Sequence, residues 1–506
     1  YYEIKKDARV LELLKKYFDY LNKEIPKRPM IQWSKARIGD LLYCIHWYCE
    51  QTGETQGELV AELRKQALDW NGVFKEFPFT RPSEYYYNWK SLLEHYQKPF
   101  VDDIMKYHTN HIVNLTMGFK YPAMLSYFFD DMDFEKITEM GLRSAHRYHG
   151  VVSGVVNGDE HLAGNNPSRG SELCSVVEYM FSLQTMAEAF GTGRYTDQIE
   201  KLAYNALPAT ITEDFMAHQY LQQANQVLVS KAKRDWFNTN DESNLFGLEP
   251  NFGCCTANMH QGWPKLLKSM WLKEDENTLI SMVHGPSSIV TELAGNRVSI
   301  SEETEYPFKN RICYRVTEGN APSAVFRIWI PEWCKDFRVC IDGAWKNRER
   351  TEDYLTVHGL HAGSEMTVEF SMDIRKSFWY KDSMAIERGP LVFALDMKEQ
   401  WKKIREVAGV SDFEIYPESP WNYAIPKNGE VEVEEKAVSD VPFSKNNPPI
   451  VFNVTGKCVE SWKIENNSAG DLPQSPVKAE GEAEKIRLIP FGCTKLRISQ
   501  FPYYED

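Results

Sequence analysis

The sequence lacks the features that mark disulfide-rich, membrane-spanning and nucleic-acid-binding proteins. Only 10 of its 506 residues are cysteine, far fewer than in a small secreted domain held together by disulfides. No hydrophobic run reaches the roughly 18 residues of a transmembrane helix, and the mean hydropathy is −0.49. Acidic residues outnumber basic ones by 72 to 58, and the net charge of −14 repels a phosphate backbone. The composition therefore predicts a globular protein that binds neither membrane nor nucleic acid, and it leaves a neutral ligand open.

Two of the few cysteines, Cys254 and Cys255, are adjacent in the sequence. Neighbouring cysteines rarely form a disulfide with each other, because the peptide between them strains the S–S torsion. This pair therefore indicates free thiols or metal ligands.

The first half of the chain has the hydrophobic period of amphipathic helices. Apolar residues between Val10 and Leu21 recur every three or four positions, and similar stretches follow, separated by turns. Further helices are predicted over residues 36–49, 59–70, 104–117, 134–146, 173–189, 195–207 and 257–272. Since each has one apolar face, they need a closed arrangement: a toroid of helical hairpins, a solenoid or an irregular bundle.

The period changes after a charged connector at residues 274–277. Short segments rich in β-branched and aromatic residues then recur, which is typical of an antiparallel sandwich. A looser stretch at 416–449, rich in proline and charge, precedes the last strands. We therefore predict an all-α domain over 1–274, a β-sandwich over 275–395, and a second sandwich or an extension of the first over 396–506.

The densest cluster of reactive side chains combines one carboxylate with three thiols. Glu172, Cys174, Cys254 and Cys255 offer a ligand set that suits tetrahedral zinc. Glu172 and Cys174 do not share a helical face, but they can converge where a loop enters a helix, with Ser171 as the N-cap. In the alternative interpretation, Cys174 faces the core, Glu172 is a first-turn acid and the cysteine pair is simply buried. The spacing is not that of a CxxC…CxxC site, so both interpretations stay open.

If the cluster holds zinc, two roles are open to it. Four protein ligands normally form a closed, structural site. Alternatively, zinc keeps one cysteine as a thiolate near neutral pH, and that thiolate attacks a carbon atom. Glu160 lies in a polar, glycine-containing loop before Glu172. It could then serve as a general acid/base, or it could be a solvated loop acid.

Other polar residues stand in apolar surroundings. His108 and His111 are three apart and share a helical face, Asp40 lies among apolar neighbours, and Glu200 lies within a predicted helix. Each could equally be an ordinary core or surface group. The polar run at 219–226 could bind hydroxyl groups or simply connect two helices.

Taken in order, these stretches resemble glycoside hydrolase family 127, the β-L-arabinofuranosidases and their relatives. The resemblance rests on Gly-Ser-Glu-Leu-Cys at 170–174, Asp197 with Glu200 and Tyr-Asn-Ala-Leu at 204–207, Gln-Tyr at 219–220 and Gly-Cys-Cys-Thr at 253–256. The stretch 488–498 is also similar to the C-terminal part of that family. Together the similarity covers most of the chain from about Trp33 onward.

The resemblance implies an N-terminal (α/α)6 barrel followed by C-terminal antiparallel β-sandwich domains, in agreement with the order of helices and strands. It also implies a retaining exo-glycosidase that forms a thioglycosyl intermediate. Cys254 would be the nucleophile, and Glu160 falls at the acid/base position. Glu200, Tyr220 and His111 match positions that line the sugar pocket. The implied ligands of Zn2+ are Glu172, Cys174, Cys254 and Cys255.

One position departs from the family pattern. Where many members have a Gly-His pair on an early helix, this chain has Gly39-Asp40. Asp40 is predicted to contact the substrate, and an anion there changes which sugar hydroxyl or carboxylate is accepted. A carboxylated sugar such as aceric acid would need a compensating cation, for example Arg37. The sugar removed is therefore expected to be β-L-arabinofuranose or a related rare sugar of plant pectin.

Two functions of different class follow from this sequence. The first is a retaining exo-glycoside hydrolase acting on a plant-type oligosaccharide, and the second is a non-catalytic, zinc-stabilised carbohydrate-binding protein. The intact set of four ligands favours the enzyme. A homodimer formed through the β domains is expected by analogy with such architectures.

The start of the chain bears on its compartment. It begins Tyr1-Tyr2-Glu3, with no methionine and no apolar leader, which indicates processing. Free thiols suit a reducing cytoplasm, but a bound zinc would protect them. We expect a bacterial-type enzyme in the periplasm or outside the cell.

Overall fold

The computed structural model describes residues 1–87, 102–237, 239–341, 343–479 and 481–505. Helices dominate up to residue 268 and strands from residue 271, so the predicted order of a helical part followed by mainly antiparallel sheets is confirmed. None of the described helices combines the length and hydrophobicity needed to cross a bilayer. The α-helices are Tyr2–Lys5, Arg9–Glu24, Trp33–Ala36, Ile38–Thr52, Gly57–Gln66, Trp70–Lys75, Asp102–Asn110, Ile112–Gly118, Lys120–Ser126, Phe134–His149, Leu173–Phe190, Thr196–Lys201, Leu207–Ala209, Cys254–Met259 and Gly262–Lys268.

The helix Leu173–Phe190 lies largely inside the helical part. Fourteen of its 18 residues are buried, so it lacks the polar stripe of a surface helix. Ser182 on this helix donates a hydrogen bond to the carbonyl of Thr116, and Tyr179 packs against Phe119 with ring centroids 5.3 Å apart. Its first turn therefore has a fixed position relative to the neighbouring helices.

The stretch predicted as one helix over 104–117 is two helices that break at His111. The backbone of His111 is extended, and its ring nitrogen Nδ1 accepts the Asn114 N–H at 3.4 Å, so His111 caps the second helix. The Ile112 N–H donates to the carbonyl of Glu160 at 2.9 Å. The apolar period continues across the break, which is why the sequence alone did not show it.

Two facing sheets form a sandwich. Phe326 and Tyr314, one from each sheet, pack edge to face with ring centroids 5.3 Å apart. The six-stranded sheet has the order Ala344–Glu349, Asp336–Ile341, Glu365–Phe370, Arg311–Glu318, Asn296–Thr304, Ser287–Leu293. The four-stranded sheet has the order Tyr354–His361, Asn320–Trp329, Thr278–Ser281, Trp271–Lys273.

A third, eight-stranded sheet follows. Its order is Ile374–Phe378, Met384–Arg388, Leu391–Leu395, Glu484–Pro490, Ile450–Cys458, Tyr423–Pro426, Tyr503–Tyr504, with Glu432–Glu435 paired to Ile450–Cys458. Strands from both sides of residue 395 hydrogen-bond within this sheet. The division at residues 274 and 395 stays a prediction, as does the closure of the helices into six pairs.

Short strands tie the C-terminal part to the helical part. The hairpin of Glu399–Val407 and Val410–Pro417 pairs with Phe246–Gly247, which in turn pairs with His218–Gln219. The strand Arg497–Ile498 pairs with Asn225–Gln226. Segments that border the candidate site are thus held from the distant C-terminal part of the chain.

Candidate functional site

A cavity of about 480 Å3 opens in the helical part, and most of the predicted site residues border it. Cys255 lies buried beside the lining cysteines. The lining includes Trp33, Arg37, Tyr107, His111, Glu160, Glu172, Cys174, Glu178, Tyr220, Phe252, Cys254 and Asn258.

The four predicted metal ligands converge at one end of this cavity. Their ligand atoms all lie within 4.8 Å of one another. The sulfurs of Cys174 and Cys255 are 3.3 Å apart, and the sulfur of Cys254 lies 3.9 Å from Oε1 of Glu172. Glu172, rather than Ser171, is the N-cap residue of the helix Leu173–Phe190.

This donor set fits a metal ion. Among the described residues, Oε2 of Glu172 is buried and has no hydrogen-bond partner, a costly arrangement unless a cation or proton compensates it. Three sulfurs and one carboxylate oxygen also match the ligand types and number of a tetrahedral zinc site. This Glu-Cys-Cys-Cys group, in which only Cys254 is exposed, can therefore hold a metal.

The three thiols differ in how readily they ionise. Hydrogen bonds from Cys174 and Cys255 lower the pKa of Cys254. Burial raises the pKa of Cys255, and the hydrogen bond to Cys254 raises that of Cys174. Cys254 is also the exposed member of the three. It is thus the sulfur that combines thiolate character with access to the cavity.

Glu160 faces the same cavity, held by two neighbours. The phenol of Tyr220 donates a hydrogen bond to Oε1 of Glu160, and Nε2 of His111 lies 3.3 Å from Oε2. Because Nδ1 of His111 accepts a backbone N–H, the ring proton of a neutral His111 is on Nε2, and Nε2 donates to Glu160. Both oxygens of the carboxyl group are therefore oriented.

The backbone around Glu160 is unusual. Its φ is +82°, a region that non-glycine residues adopt at a cost and that often occurs at functional sites. The loop is interlocked with the start of the helix at Leu173: Gly158 donates to the carbonyl of Gly170 at 3.0 Å, and the N–H of Glu172 donates to that of Gly158 at 3.2 Å. A Cβ at Gly158 would lie 2.4 Å from Ile112, so only glycine allows this approach.

Asp40, whose contact with the substrate stays a prediction, forms an ion pair with a lysine. It is not among the residues that line the cavity, and its Oδ1 lies 2.7 Å from Nζ of Lys120. Lys120 is fully buried and also lies 3.4 Å from Oε2 of Glu178, which does line the cavity. The cation beside Asp40 is thus Lys120. Arg37 instead donates to Asn114.

Glu200 is not brought to this cavity. It is fully buried where the helical part meets the sandwich, accepting hydrogen bonds from the hydroxyl of Tyr306 and from the backbone N–H of His284. Its carboxyl group joins two parts of the fold, and its contact with substrate stays a prediction.

Among the cavity residues that the sequence analysis missed are Glu178, Asn258 and Phe252. Glu178 lies one helical turn after Cys174, and this four-residue spacing could have revealed it. Asn258 donates to the sulfur of Cys174 at 3.2 Å, four residues after Cys254. The ring of Phe252 packs against Tyr220, with centroids 6.0 Å apart; it carries no reactive group that a motif could reveal.

Sequence models of one enzyme family match most of the chain. A sequence model described as "Beta-L-arabinofuranosidase, GH127 catalytic domain" matches residues 1–268, and one for the GH127 middle domain matches residues 278–374. A search of curated proteins found no match.

Three solved structures share the fold. A GH127 β-L-arabinofuranosidase from Geobacillus stearothermophilus T6 has a TM-score of 0.67 and 16% identity, with 100% of this chain and 78% of that chain covered. A second GH127 β-arabinofuranosidase has a TM-score of 0.64 and 16% identity, with 99% and 74% covered. A further glycoside hydrolase has a TM-score of 0.62 and 14% identity, with 99% and 90% covered. Since the catalytic-domain match covers more than half of the sequence, this chain belongs to glycoside hydrolase family GH127 and is a glycoside hydrolase that acts on a carbohydrate.

Proposed function

We propose that the protein is a retaining β-L-arabinofuranosidase whose nucleophile is the thiolate of Cys254 and whose acid/base is Glu160. The observation that carries the proposal is their arrangement around Tyr220. The phenolic oxygen of Tyr220 lies 3.7 Å from the sulfur of Cys254 and donates to Glu160. A retaining glycosidase needs its two groups close together, on opposite sides of the bond that is cleaved.

The reaction then has two steps. In the first, the sulfur of Cys254 forms a bond to the anomeric carbon, the glycosidic C–O bond breaks, and Glu160 gives its proton to the leaving oxygen. In the second, a water molecule gives a proton to Glu160 and bonds to the anomeric carbon, while the C–S bond breaks and the thiolate is restored. Two displacements at the same carbon retain its configuration.

The proposed metal is Zn2+, held by Glu172, Cys174, Cys254 and Cys255. When bound, it supplies positive charge that keeps a cysteine deprotonated near neutral pH. The rest of the chemistry belongs to this chain's side chains: Tyr220 and His111 orient the carboxyl of Glu160, and Asn258 donates to the sulfur of Cys174.

The proposed substrate is a terminal β-L-arabinofuranose of a plant-type, pectin-derived oligosaccharide. The proposal for this sugar rests on the family's described activity. The position of Glu178 favours a sugar that is bound through its hydroxyl groups. Its carboxylate lines the cavity and is held by the buried Lys120. Carboxylates are strong acceptors for hydroxyl donors. A homodimer and a location outside the cytoplasm stay predictions.

The test is the anomeric configuration of the first product and the bond formed on Cys254. NMR of fresh product from an aryl β-L-arabinofuranoside should show the β anomer. In a Glu160→Gln variant supplied with a substrate that has a good leaving group, mass spectrometry should find the sugar attached to the peptide containing Cys254. Cys44→Ala, which removes a thiol far from the cavity in sequence, is the matched control. An α product, or an adduct that persists in Cys254→Ala, contradicts the mechanism.

A further inference from the structure

A second cavity, of about 550 Å3, lies where the helical part meets the C-terminal part. It shares no lining residue with the catalytic cavity. Its walls come from four separate stretches of chain, including the loop at Thr212–Asp214 and the hairpin that carries Trp401. The lining residues are Thr212, Glu213, Asp214, Glu399, Trp401, Phe413, Lys445, Asn446, Cys493 and Lys495.

The floor of this cavity is preformed. Lys495 and Cys493 are buried, and the amine of Lys495 is satisfied by backbone carbonyls, among them those of Pro208 at 3.1 Å and Ile211. Glu399 accepts hydrogen bonds from the N–H of Leu496 and the indole of Trp401. A site whose base is already hydrogen-bonded needs little reorganisation on binding.

The wall offers a flat aromatic surface together with polar groups. Trp401 packs on Phe246 and edge-on against Phe413, with centroids 5.9 and 5.4 Å away, yet 40% of it stays exposed. Oδ2 of Asp214 and the amide of Asn446 make no hydrogen bond with the described residues, whereas Oδ1 of Asp214 is taken by Thr212. An aromatic face beside available acceptors and donors matches a ring that is apolar on its face and carries hydroxyls at its edge.

The charges at the wall oppose one another. Glu213 accepts from the backbone N–H of Lys445, and the amine of Lys445 lies 3.1 Å from Glu399. The lining has three acidic and two basic side chains, a formal net charge of −1, so its field is weak and disfavours an anion. A neutral ligand therefore fits this cavity better than a phosphate.

The two cavities are linked by a short, ordered segment. Tyr220 in the catalytic cavity follows Asp214 by only six positions, a span of at most about 21 Å when extended. Between them, Phe215 and Met216 are 61% and 54% exposed on a loop closed by the Thr212 N–H to Ala217 carbonyl bond. Exposed apolar side chains on an ordered loop suit contact with a ligand that continues beyond one site.

We propose that this cavity is a second, non-catalytic carbohydrate-binding site, in which Trp401 stacks on a sugar ring of the glycan whose end lies in the catalytic cavity. The identity of the glycan rests on the proposed function, but the existence of the site does not. The site raises the residence time of long substrates near the catalytic cavity, since binding at two linked points increases the effective concentration.

The test is affinity electrophoresis in gels containing a soluble polysaccharide of L-arabinofuranose. Wild type should be retarded, and Trp401→Ala should weaken the retardation about tenfold. Trp401→Phe should recover most of it. Asn446→Ala, at an exposed residue of the cavity lining, should weaken the retardation by a smaller factor. Trp345→Ala removes a similarly exposed tryptophan on a distant sheet edge and should behave as wild type.

Turnover of an aryl β-L-arabinofuranoside separates this proposal from the proposed function. Trp401→Ala should keep kcat and KM on that small substrate within about twofold while raising KM for long oligosaccharides. If no variant hydrolyses the aryl substrate, the proposed function fails, and the retardation of Trp401→Ala against Trp345→Ala still decides the site. Wild type that is not retarded, or equal losses in the two tryptophan variants, overturns it.

Discussion

The hydroxyl of Tyr220 donates to Glu160 and lies 3.7 Å from the sulfur of Cys254, so one side chain contacts both proposed reacting groups. Its position follows from backbone pairing, since the N–H of Leu173 donates to the carbonyl of Tyr220 at 3.0 Å. The segment that supplies Tyr220 is thus anchored to the start of the helix that supplies Cys174 and is capped by Glu172.

Replacing Tyr220 with phenylalanine should slow the reaction without unfolding the protein. The variant keeps the ring packing on Phe252 but removes the hydroxyl that orients Glu160. We expect kcat on an aryl β-L-arabinofuranoside to fall about 10²-fold, the cost of losing one oriented donor in an active site. Tyr85→Phe, at a residue 63% exposed, is the control. A Tyr220→Phe enzyme with wild-type kcat would remove this role.

Elemental analysis should find one zinc per chain, and Glu172→Gln should lower that content. The substitution replaces the carboxylate ligand while keeping its shape, so the buried oxygen no longer supplies charge to a cation. We expect at least about tenfold weaker retention of zinc against a chelator. Glu188→Gln, on the same helix but away from the cavity, should retain zinc as wild type does. Equal retention in both variants argues against Glu172 as a ligand.

Replacing Lys120 with methionine should destabilise the fold strongly. Lys120 is fully buried between the carboxylates of Asp40 and Glu178, and its removal takes away the cation that contacts both of them. Breaking a buried charge cluster in this way costs about 3–5 kcal/mol, to be measured by urea unfolding. Breaking the exposed pair of Arg315 with Glu303, by Arg315→Ala, should cost about 1 kcal/mol or less. Similar losses in the two variants would mean that Lys120 is not needed to balance these acids.

Glu200 should make stability depend on pH in the opposite sense from an ordinary acid. Burial raises its pKa from 4.5 to about 7, against the charge of His284. Between pH 4.5 and about 7 the folded protein therefore binds a proton that the unfolded chain releases. Its contribution to stability is fully present below pH 4.5 and is lost as the pH rises through about 7.

Glu200→Gln should remove that slope, as followed by urea unfolding at several pH values. Because Glu200 lies outside the catalytic cavity, the variant should also keep KM on the small aryl substrate within about twofold. The exposed Glu12→Gln serves as the matched control for the slope. A large rise in KM would indicate that Glu200 contacts the substrate.

The parts that the sequence predicted are those encoded locally. The hydrophobic period predicted the helix at Leu173 and the strands of the sandwich. The residue types predicted Glu172 and the three cysteines as metal ligands. The pairing of His111 with His161 and the close approach at Gly158 depend on long-range backbone contacts, which no local pattern contains. For the same reason the sequence did not show the ion pair of Asp40 with Lys120, which lies 80 residues away in the sequence.

The pairing of Arg497–Ile498 with Asn225–Gln226 has a consequence for how the enzyme is made. The side chain of Asn225 donates to the carbonyl of Gln500, 275 residues later. At about 5–20 residues per second, a ribosome needs ~15–55 s to synthesise that interval. During that time the helices have emerged, but polar side chains such as Asn225 and Gln226, which are buried in the finished fold, are still exposed to water. Hydrogen-bond partners of the polar segment next to Tyr220 therefore reach it only after 275 further residues have been translated.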